Sequence, residues 1–192
     1  MEKYSKIGCV LLAAGTSSRF GAKNKLLSEI DGVPMIRKVL AALQVEEVDF
    51  HVVVLGHESE LVLTALEGCV VDVVVNPEYA RGMGGSLALG AKRIVELGGS
   101  CMLVCLADLP HLRKEDVSKV ANAFRAEDCE QITYPVVGGQ HGHPVCFPGR
   151  SLADLGELEG EMGARRVIDQ DPLPRVEVSG VGSGCIQDLD HS

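Results

Sequence analysis

The chain has 192 residues, of which 27 are acidic and 18 basic, and its formal net charge is −9. A hydrophobic fraction of 46% excludes a disordered chain, and the length predicts one compact domain spanning residues 1–192. The acidic balance excludes general nucleic-acid binding, which needs clustered Lys and Arg, and no apolar run approaches the roughly 20 residues of a membrane span. We therefore expect a soluble, cytoplasmic protein with neither nucleic acid nor membrane as a partner.

Apolar runs and segments of helical periodicity alternate along the first two thirds of the chain. The apolar runs predict strands at Ile7–Ala13, Phe50–Leu55, Val70–Val75, Cys101–Ala107 and Ile132–Val137. The periodic segments predict helices at Met35–Leu43, Glu58–Leu66, Ser86–Leu97 and Lys114–Phe124. This alternation predicts an α/β fold of three layers, α/β/α, with a mostly parallel sheet covered on both faces.

After Tyr134 the chain becomes rich in Gly and Pro. We interpret this part as an irregular strand or hairpin, followed by a short helix near residues 163–170 and a last strand near 175–178. In open α/β sheets, ligands bind beyond the carboxyl ends of the strands. The segments that follow the predicted strands are therefore the candidate site.

The first strand leads into the loop LAAGTSSRFGAKNK, residues 12–25. Its small residues let backbone N–H groups approach a ligand closely, and Arg19, Lys23 and Lys25 supply positive charge. Such a loop can hold a triphosphate, although the spacing fits neither a P-loop nor a GxGxxG turn. A polar surface loop with solvated cations is the alternative.

The longer string LAAGTSSRFGAKNKLL resembles the LAAGxSxRxG signature of the molybdopterin nucleotidyltransferase-like families, and is most similar to the molybdenum cofactor cytidylyltransferases. The resemblance extends over nearly the whole chain and implies a Rossmann-like nucleotidyltransferase fold. It implies transfer of CMP from CTP to molybdopterin or the molybdenum cofactor, with Mg²⁺ as cofactor and a client molybdoenzyme as a further partner. The nucleotide-binding residues implied in this loop are Leu12, Ala13, Ala14, Gly15, Arg19 and Lys25, of which Arg19 and Lys25 are also catalytic.

The third strand is followed by NPEYARGMGGSL, residues 76–87. Glycines at a helix N-terminus form a turn lined by backbone, which suits a base edge or an anion, although such helix entrances are common. The segment resembles the family pattern N-P-x-x-x-x-G-M-x-x-S-L, which contacts the nucleotide base. The residues implied are Gly82, Met83, Gly84, Gly85 and Ser86.

Asp108 directly follows the fourth strand, in the sequence ADLP. A carboxylate there can hold Mg²⁺ against triphosphate oxygens, or can only hydrogen-bond an Asp-Leu-Pro turn, and the residues alone leave both open. The resemblance implies a catalytic and metal-binding role for Asp108. It also implies Asp190, near the end of the chain, as the second metal ligand, with Asp188 as runner-up.

Two further segments resemble the acceptor side of the family. The GHPVCF segment contains His143, which we expect to be exposed to a cleft and to contact the acceptor's phosphate. The GEMGAR segment ends at Arg165, which could bind an acidic acceptor or cap a helix. Residues of about 134–170 are thus expected to form the acceptor side.

Seven cysteines lie mostly in apolar runs. An odd number without a second Cys or His pair favours buried thiols of a reducing compartment over disulfides or a zinc site. This interpretation includes Cys101 and Cys105, whose CxxxC spacing falls inside a predicted strand.

Several alternatives to the main hypothesis remain open. Relatives that use GTP tend to show LAGG, so the methyl group of Ala14 favours CTP by narrowing the purine pocket. The acceptor could instead be another phosphate such as a sugar phosphate. The chain could also be a non-catalytic carrier of the molybdenum cofactor, or a nucleotide-binding domain of unrelated chemistry.

Overall fold

The structure is a computed structural model that describes residues 5–16, 24–172 and 174–189. The strands are β1 (Ile7–Ala13), β2 (Glu29–Ile30), β3 (Val33–Pro34), β4 (Phe50–Leu55), β5 (Asp72–Val75), β6 (Cys101–Leu106), β7 (Thr133–Val137), β8 (Gln140–His141), β9 (Val145–Phe147) and β10 (Val176–Val178). The helices are α1 (Met35–Leu43), α2 (Ser59–Ala65), α3 (Met83–Glu96), α4 (Lys114–Ala126), α5 (Leu152–Gly156) and α6 (Arg165–Gln170).

The strands of the main sheet have the order β10-β7-β9-β6-β1-β4-β5, with β8 paired to β7. Strand β1 is parallel to both β4 and β6, β4 to β5, and β7 to β10, whereas β9 is antiparallel to its neighbours β6 and β7. The chain thus fills one side of β1 first and then returns to β6 on the other. Their carboxyl ends form a topological switch point, where ligands of such sheets bind.

Two hydrophobic clusters cover the two faces of the sheet. Because side chains alternate along a strand, β1 supplies Cys9 and Leu11 to one cluster and Val10 and Leu12 to the other. The first cluster is completed by α1, α2 and α4, and the second by α3, α5 and α6. The predicted three-layer α/β/α arrangement is confirmed.

The cysteines behave as the sequence predicts. All seven are free thiols, six of them are buried, and Cys101 and Cys105 lie inside β6. Burial raises the pKa of the Cys105 thiol, so it stays protonated in the core. In the described part of the chain, no helix has the length and apolarity required to cross a membrane.

The differences from prediction are local. Helix α3 begins at Met83 rather than Ser86. Strand β5 begins at Asp72 rather than Val70, and Val70, which lies before the strand, is 88% exposed. The hairpin of β2 and β3 and the short helix α5 were not predicted. Two to five residues are too few to establish a hydrophobic period.

Candidate active site

A cleft of about 410 Å³ opens at the carboxyl ends of β1 and β6. We call it the β1/β6 cleft. The amide of Ala107 donates to the carbonyl oxygen of Leu12 at 3.0 Å and joins the two strand ends. The lining residues are Leu12, Ala13, Ala14, Gly15, Thr16, Lys25, Leu26, Tyr79, Ala80, Gly82, Met83, Ser86, Leu106, Ala107, Asp108 and Glu161.

The cleft brings together segments that are far apart in the sequence. They are the start of the 12–25 loop, Lys25, the entrance of α3 and Asp108. Arg19, Lys23 and Asp190, which the sequence analysis also placed at the site, lie outside the described residues. The roles expected of these three residues stay predictions.

Lys25 and Asp108 form an ion pair across the cleft. The Lys25 Nζ lies 2.9 Å from Asp108 Oδ2, and the two side chains are only 13% and 21% exposed. Lys25 begins a 3₁₀ turn, Lys25–Leu27, that is held by the buried Asn24, whose side-chain oxygen accepts from the Leu26 amide at 3.1 Å. Because the pair is partly buried, salt in the solvent screens it less than it screens a pair on the surface. A cation, which suits phosphate, and a carboxylate, which suits a metal ion, therefore lie side by side in the cleft.

Two carboxylates at this end of the sheet each have one buried oxygen without a partner among the described residues. The second oxygen of Asp108, Oδ1, is buried and has no hydrogen-bond partner among the described residues, and the same is true of Asp188 Oδ1. The amide of Leu189, next to Asp188, donates to the Asp108 backbone carbonyl at 3.2 Å. Buried polar atoms are normally paired, so two orphaned carboxylate oxygens in adjoining segments suit Mg²⁺, which takes one or two carboxylates plus phosphate.

The glycines at the entrance of α3 serve packing as well as access. Gly82 has φ +123°, and a Cβ there would overlap the backbone of Gly160. The amide of Gly84 donates to the Gly160 carbonyl at 2.8 Å. It is therefore not directed to the cleft, where we expected it to contact the nucleotide. Neither Gly84 nor Gly85 lines the β1/β6 cleft. The prediction for Gly84 and Gly85 was wrong because the small residues of this turn allow residues 159–162 to pack closely against the start of α3.

Ser86 is fixed by a buried polar contact. Its hydroxyl accepts from the Asn76 side-chain amide at 2.9 Å, and the Asn76 oxygen accepts from the Glu78 amide at 2.9 Å. Both Asn76 and Ser86 are buried. These bonds tie the segment after β5 to the first turn of α3 and hold the wall of the cleft rigid.

The predicted acceptor residues are not among those that line the β1/β6 cleft. His143 is half-buried rather than exposed, with Nδ1 3.4 Å from the Val104 carbonyl oxygen. Burial lowers the pKa of its imidazole, which the Val104 carbonyl and the charge of Asp108 offset only in part, so the ring is neutral near pH 7. Arg165 begins α6, and 90% of its side chain is exposed.

Sequence reasoning missed Tyr79, Thr16 and Glu161 as lining residues. Tyr79 is half-buried, and its hydroxyl lies 3.4 Å from His57 Nδ1. An aromatic face in a nucleotide-sized cleft can stack on a base. The signal was present, because Tyr79 is one of only three tyrosines and lies inside the second motif.

A second cavity of about 790 Å³ adjoins the cleft and shares Gly82 and Glu161 with it. It lies between the entrance of α3 and residues 156–162, which belong to the part of the chain expected to form the acceptor side. Its charged lining residues are Glu78, Arg81, Lys92, Glu157, Glu159 and Glu161. Four glutamates against two cations make this cavity acidic.

Known proteins resemble this chain over most of its length. Residues 9–176 match the family described as the MobA-like NTP transferase domain. The bifunctional protein GlmU of Agrobacterium fabrum is 29% identical over 82% of this chain, which spans 34% of the length of GlmU. Nicotine blue oxidoreductase of Paenarthrobacter nicotinovorans is 27% identical, covering 85% of this chain and 81% of that protein.

The crystal structure of Rv0371c from Mycobacterium tuberculosis H37Rv has the same fold. It superposes with a TM-score of 0.83 at 24% identity, over 98% of this chain and 94% of that one. The same protein has been solved in complex with manganese, with a TM-score of 0.77 at 21% identity, over 97% and 96% of the two chains. At this identity the likeness establishes the fold alone.

Proposed function

The chain belongs to the MobA-like NTP transferase family, and from this we propose that it transfers CMP from CTP to molybdopterin or the molybdenum cofactor. The observation that carries the transfer chemistry is the Lys25–Asp108 pair in the β1/β6 cleft. A cation that can hold phosphate and a carboxylate that can hold a metal are in contact there. The assignments of molybdopterin as the acceptor and of cytosine as the base rest on the sequence motifs.

The reaction needs alignment and charge stabilisation more than acid or base chemistry. A terminal phosphate oxygen of the acceptor attacks the α-phosphorus of CTP, the bond to the β-phosphate oxygen breaks, and pyrophosphate leaves. The attacking oxygen is already ionised, so no general base is required. Lys25, together with Arg19, would stabilise the charge of the leaving pyrophosphate, and the backbone at residues 12–16 would orient the triphosphate.

Asp108 is the residue that would hold Mg²⁺, with Asp188 or Asp190 as the second carboxylate. Bound there, the ion would neutralise negative charge on the triphosphate. The orphaned oxygens of Asp108 and Asp188 support this assignment. The manganese complex of Rv0371c is a precedent for a divalent cation on this fold.

The proposed preference for CTP rests on the wall of the cleft near Ala14 and Tyr79. Ala14 is buried at the end of β1, and its carbonyl oxygen accepts from the His57 amide at 3.4 Å. Its methyl group therefore occupies a fixed position in a cleft of about 410 Å³. A pyrimidine needs less room there than a purine.

The test is a pyrophosphate-release assay with CTP, Mg²⁺ and molybdopterin. Release should depend on all three components and stop when EDTA removes the metal. Release that is no faster with molybdopterin than without it would reject the proposed acceptor.

A sugar phosphate is the second candidate acceptor. The acidic cavity beside the cleft favours it, because its four glutamates can accept hydrogen bonds from sugar hydroxyls but would repel an acceptor with several negative charges. Replacing molybdopterin by a panel of sugar 1-phosphates in the same assay separates the two acceptors. The faster acceptor identifies the substrate class.

A carrier of the molybdenum cofactor is the non-enzymatic alternative. Asp108→Ala separates it from the enzyme, because a carrier would keep its cofactor binding while an enzyme would lose turnover. Nicotine blue oxidoreductase, whose name describes a different reaction class, is also similar to this chain. Product formation therefore has to be measured directly.

A further inference from the structure

We propose that Asp116 is a positioning residue, which holds residues 180–189 in the place that presents Asp188 beside Asp108. We call residues 180–189 the C-terminal strap. Asp116 lies in the first turn of α4, is not a lining residue of the β1/β6 cleft, and can act there only through the strap. The inference rests on the metal-dependent transfer proposed above.

The strap is fastened to α4 by two side chains. Asp116 is buried, and its Oδ1 accepts from the Gly182 amide at 2.9 Å. The exposed Lys119, one turn further along α4, donates from Nζ to the Gly180 carbonyl oxygen at 2.7 Å. Both are hydrogen bonds of a charged group, which are stronger than neutral ones.

The strap then passes the carboxyl end of β6, where the cleft opens. The Cys185 carbonyl accepts from the His143 amide at 2.8 Å, and the Leu189 amide donates to the Asp108 carbonyl at 3.2 Å. Just before these bonds in the chain, Gly184 packs so tightly on the backbone at His111 that a Cβ would overlap the His111 carbonyl oxygen. The strap therefore contacts the segments that contain His143 and Asp108.

The end of the strap brings Asp188, which carries a second carboxylate, next to the backbone of Asp108. Asp188 precedes Leu189, so its backbone adjoins that of Asp108, and one oxygen of each carboxylate is buried without a partner in the described part of the chain. Asp188 belongs to no regular helix or strand. Its position is therefore set by the bonds that hold the strap, among which the Asp116 bond is made by a buried, charged side chain.

The test is Mn²⁺ binding to the full chain, measured by the loss of the free-ion signal in electron paramagnetic resonance. Asp116→Ala should raise the Kd for Mn²⁺ by about 10- to 100-fold, the usual cost of losing a residue that orients a metal ligand. Asp116→Asn should bind nearly as wild type, because its amide oxygen still accepts from Gly182. The matched control is Asp49→Ala, which removes a carboxylate that accepts from the Ile7 amide at 2.8 Å at the amino end of β1.

Both aspartate-to-alanine variants should lose thermal stability, but only Asp116→Ala should lose Mn²⁺ affinity. Equal Mn²⁺ binding by Asp116→Ala and wild type would overturn the inference and leave Asp116 a structural role alone. Should Asp116→Ala not fold, Lys119→Ala decides, since this exposed side chain can be removed safely: severalfold weaker Mn²⁺ binding supports the inference and unchanged binding overturns it.

The assay contains neither nucleotide nor acceptor, so its outcome is separate from that of the proposed function. A wild-type chain that binds Mn²⁺ but forms no product with any nucleoside triphosphate would reject the transfer and keep the positioning role. A wild-type chain that turns over, with Asp116→Ala unchanged in Mn²⁺ affinity, would reject the positioning role and keep the transfer. Failure of wild type to bind Mn²⁺ would overturn the positioning role and leave the transfer to be decided by the product assay.

Discussion

The site around the β1/β6 cleft has two walls that are built in different ways. On one wall, each functional segment is a short continuous motif directly after a strand, as with residues 12–16 and Asp108. The other wall consists of the strap and residues 156–162, of which only Glu161 lines the cleft. It is held by contacts with distant parts of the chain, such as the bond from Gly182 to Asp116. The first wall is set by local sequence, whereas the second depends on tertiary contacts.

Loss of the Asp108 carboxylate should have the largest effect. Asp108→Ala removes the proposed metal ligand and the partner of Lys25, so turnover should fall by about 10²- to 10³-fold, as for other groups that stabilise transition-state charge. Steady-state pyrophosphate release measures it. The matched control is Asp72→Ala, which breaks the 2.7 Å pair with Arg93 at the edge strand β5 and should leave turnover intact. An Asp108→Ala enzyme with wild-type turnover would contradict the account of the first wall.

The contact between the two walls can be broken at Gly82. Gly82→Ala combines a φ of +123° with overlap on the Gly160 backbone, so unfolding free energy should drop by about 2–3 kcal/mol. Urea titration followed by circular dichroism measures the loss. Gly85→Ala is the control, because the nearest atom to its Cβ is 3.6 Å away and the helix should gain up to about 1 kcal/mol. A Gly82→Ala variant as stable as wild type would show that the walls are not in contact there.

Base choice sharpens the comparison, because it should depend on the first wall alone. Ala14→Gly removes the buried methyl group, so the ratio of kcat/KM for GTP to that for CTP should rise by about tenfold, the usual effect of one methyl-sized group in a pocket. Competition between the two nucleotides in one reaction reports the ratio. An unchanged ratio would place base selection elsewhere, for example at Tyr79.

The smallest effect is expected at Arg165, which begins α6 and lines neither the β1/β6 cleft nor the cavity beside it. Its side chain is 90% exposed, so Arg165→Ala should leave stability within about 0.5 kcal/mol of wild type. If it contacts an acidic acceptor, KM for the acceptor should rise severalfold while KM for CTP stays constant. Arg166→Ala, at the neighbouring exposed position, should change neither constant. Equal effects on both KM values would argue against an acceptor contact.

The parts of the molecule that were predictable from sequence are those whose signal is local. The hydrophobic pattern of the first strand predicts Ile7–Ala13, the bounds that β1 has in the structure, and the residues that directly follow β1 and β6 line the cleft. Parallel strands buried on both faces give long apolar runs, and these runs locate the strand ends.

The rest depends on packing between segments that are distant in sequence. The turn at Gly82 looked like a surface open to a ligand, but the 159–162 segment fills part of it. His143 lies beside glycines in a polar stretch, yet the fold turns its ring toward Val104. The role of Asp116 has no sequence signature, because its partner Gly182 lies 66 residues away.

Nucleotidyl transfer itself is tested most directly by product mass. The chain is incubated with Mg²⁺, molybdopterin and each of the four nucleoside triphosphates in turn, and the products are analysed by mass spectrometry. We predict a CMP adduct of molybdopterin together with pyrophosphate, formed with CTP in preference to the other three nucleotides. The absence of a dinucleotide product with every one of the four would contradict the account.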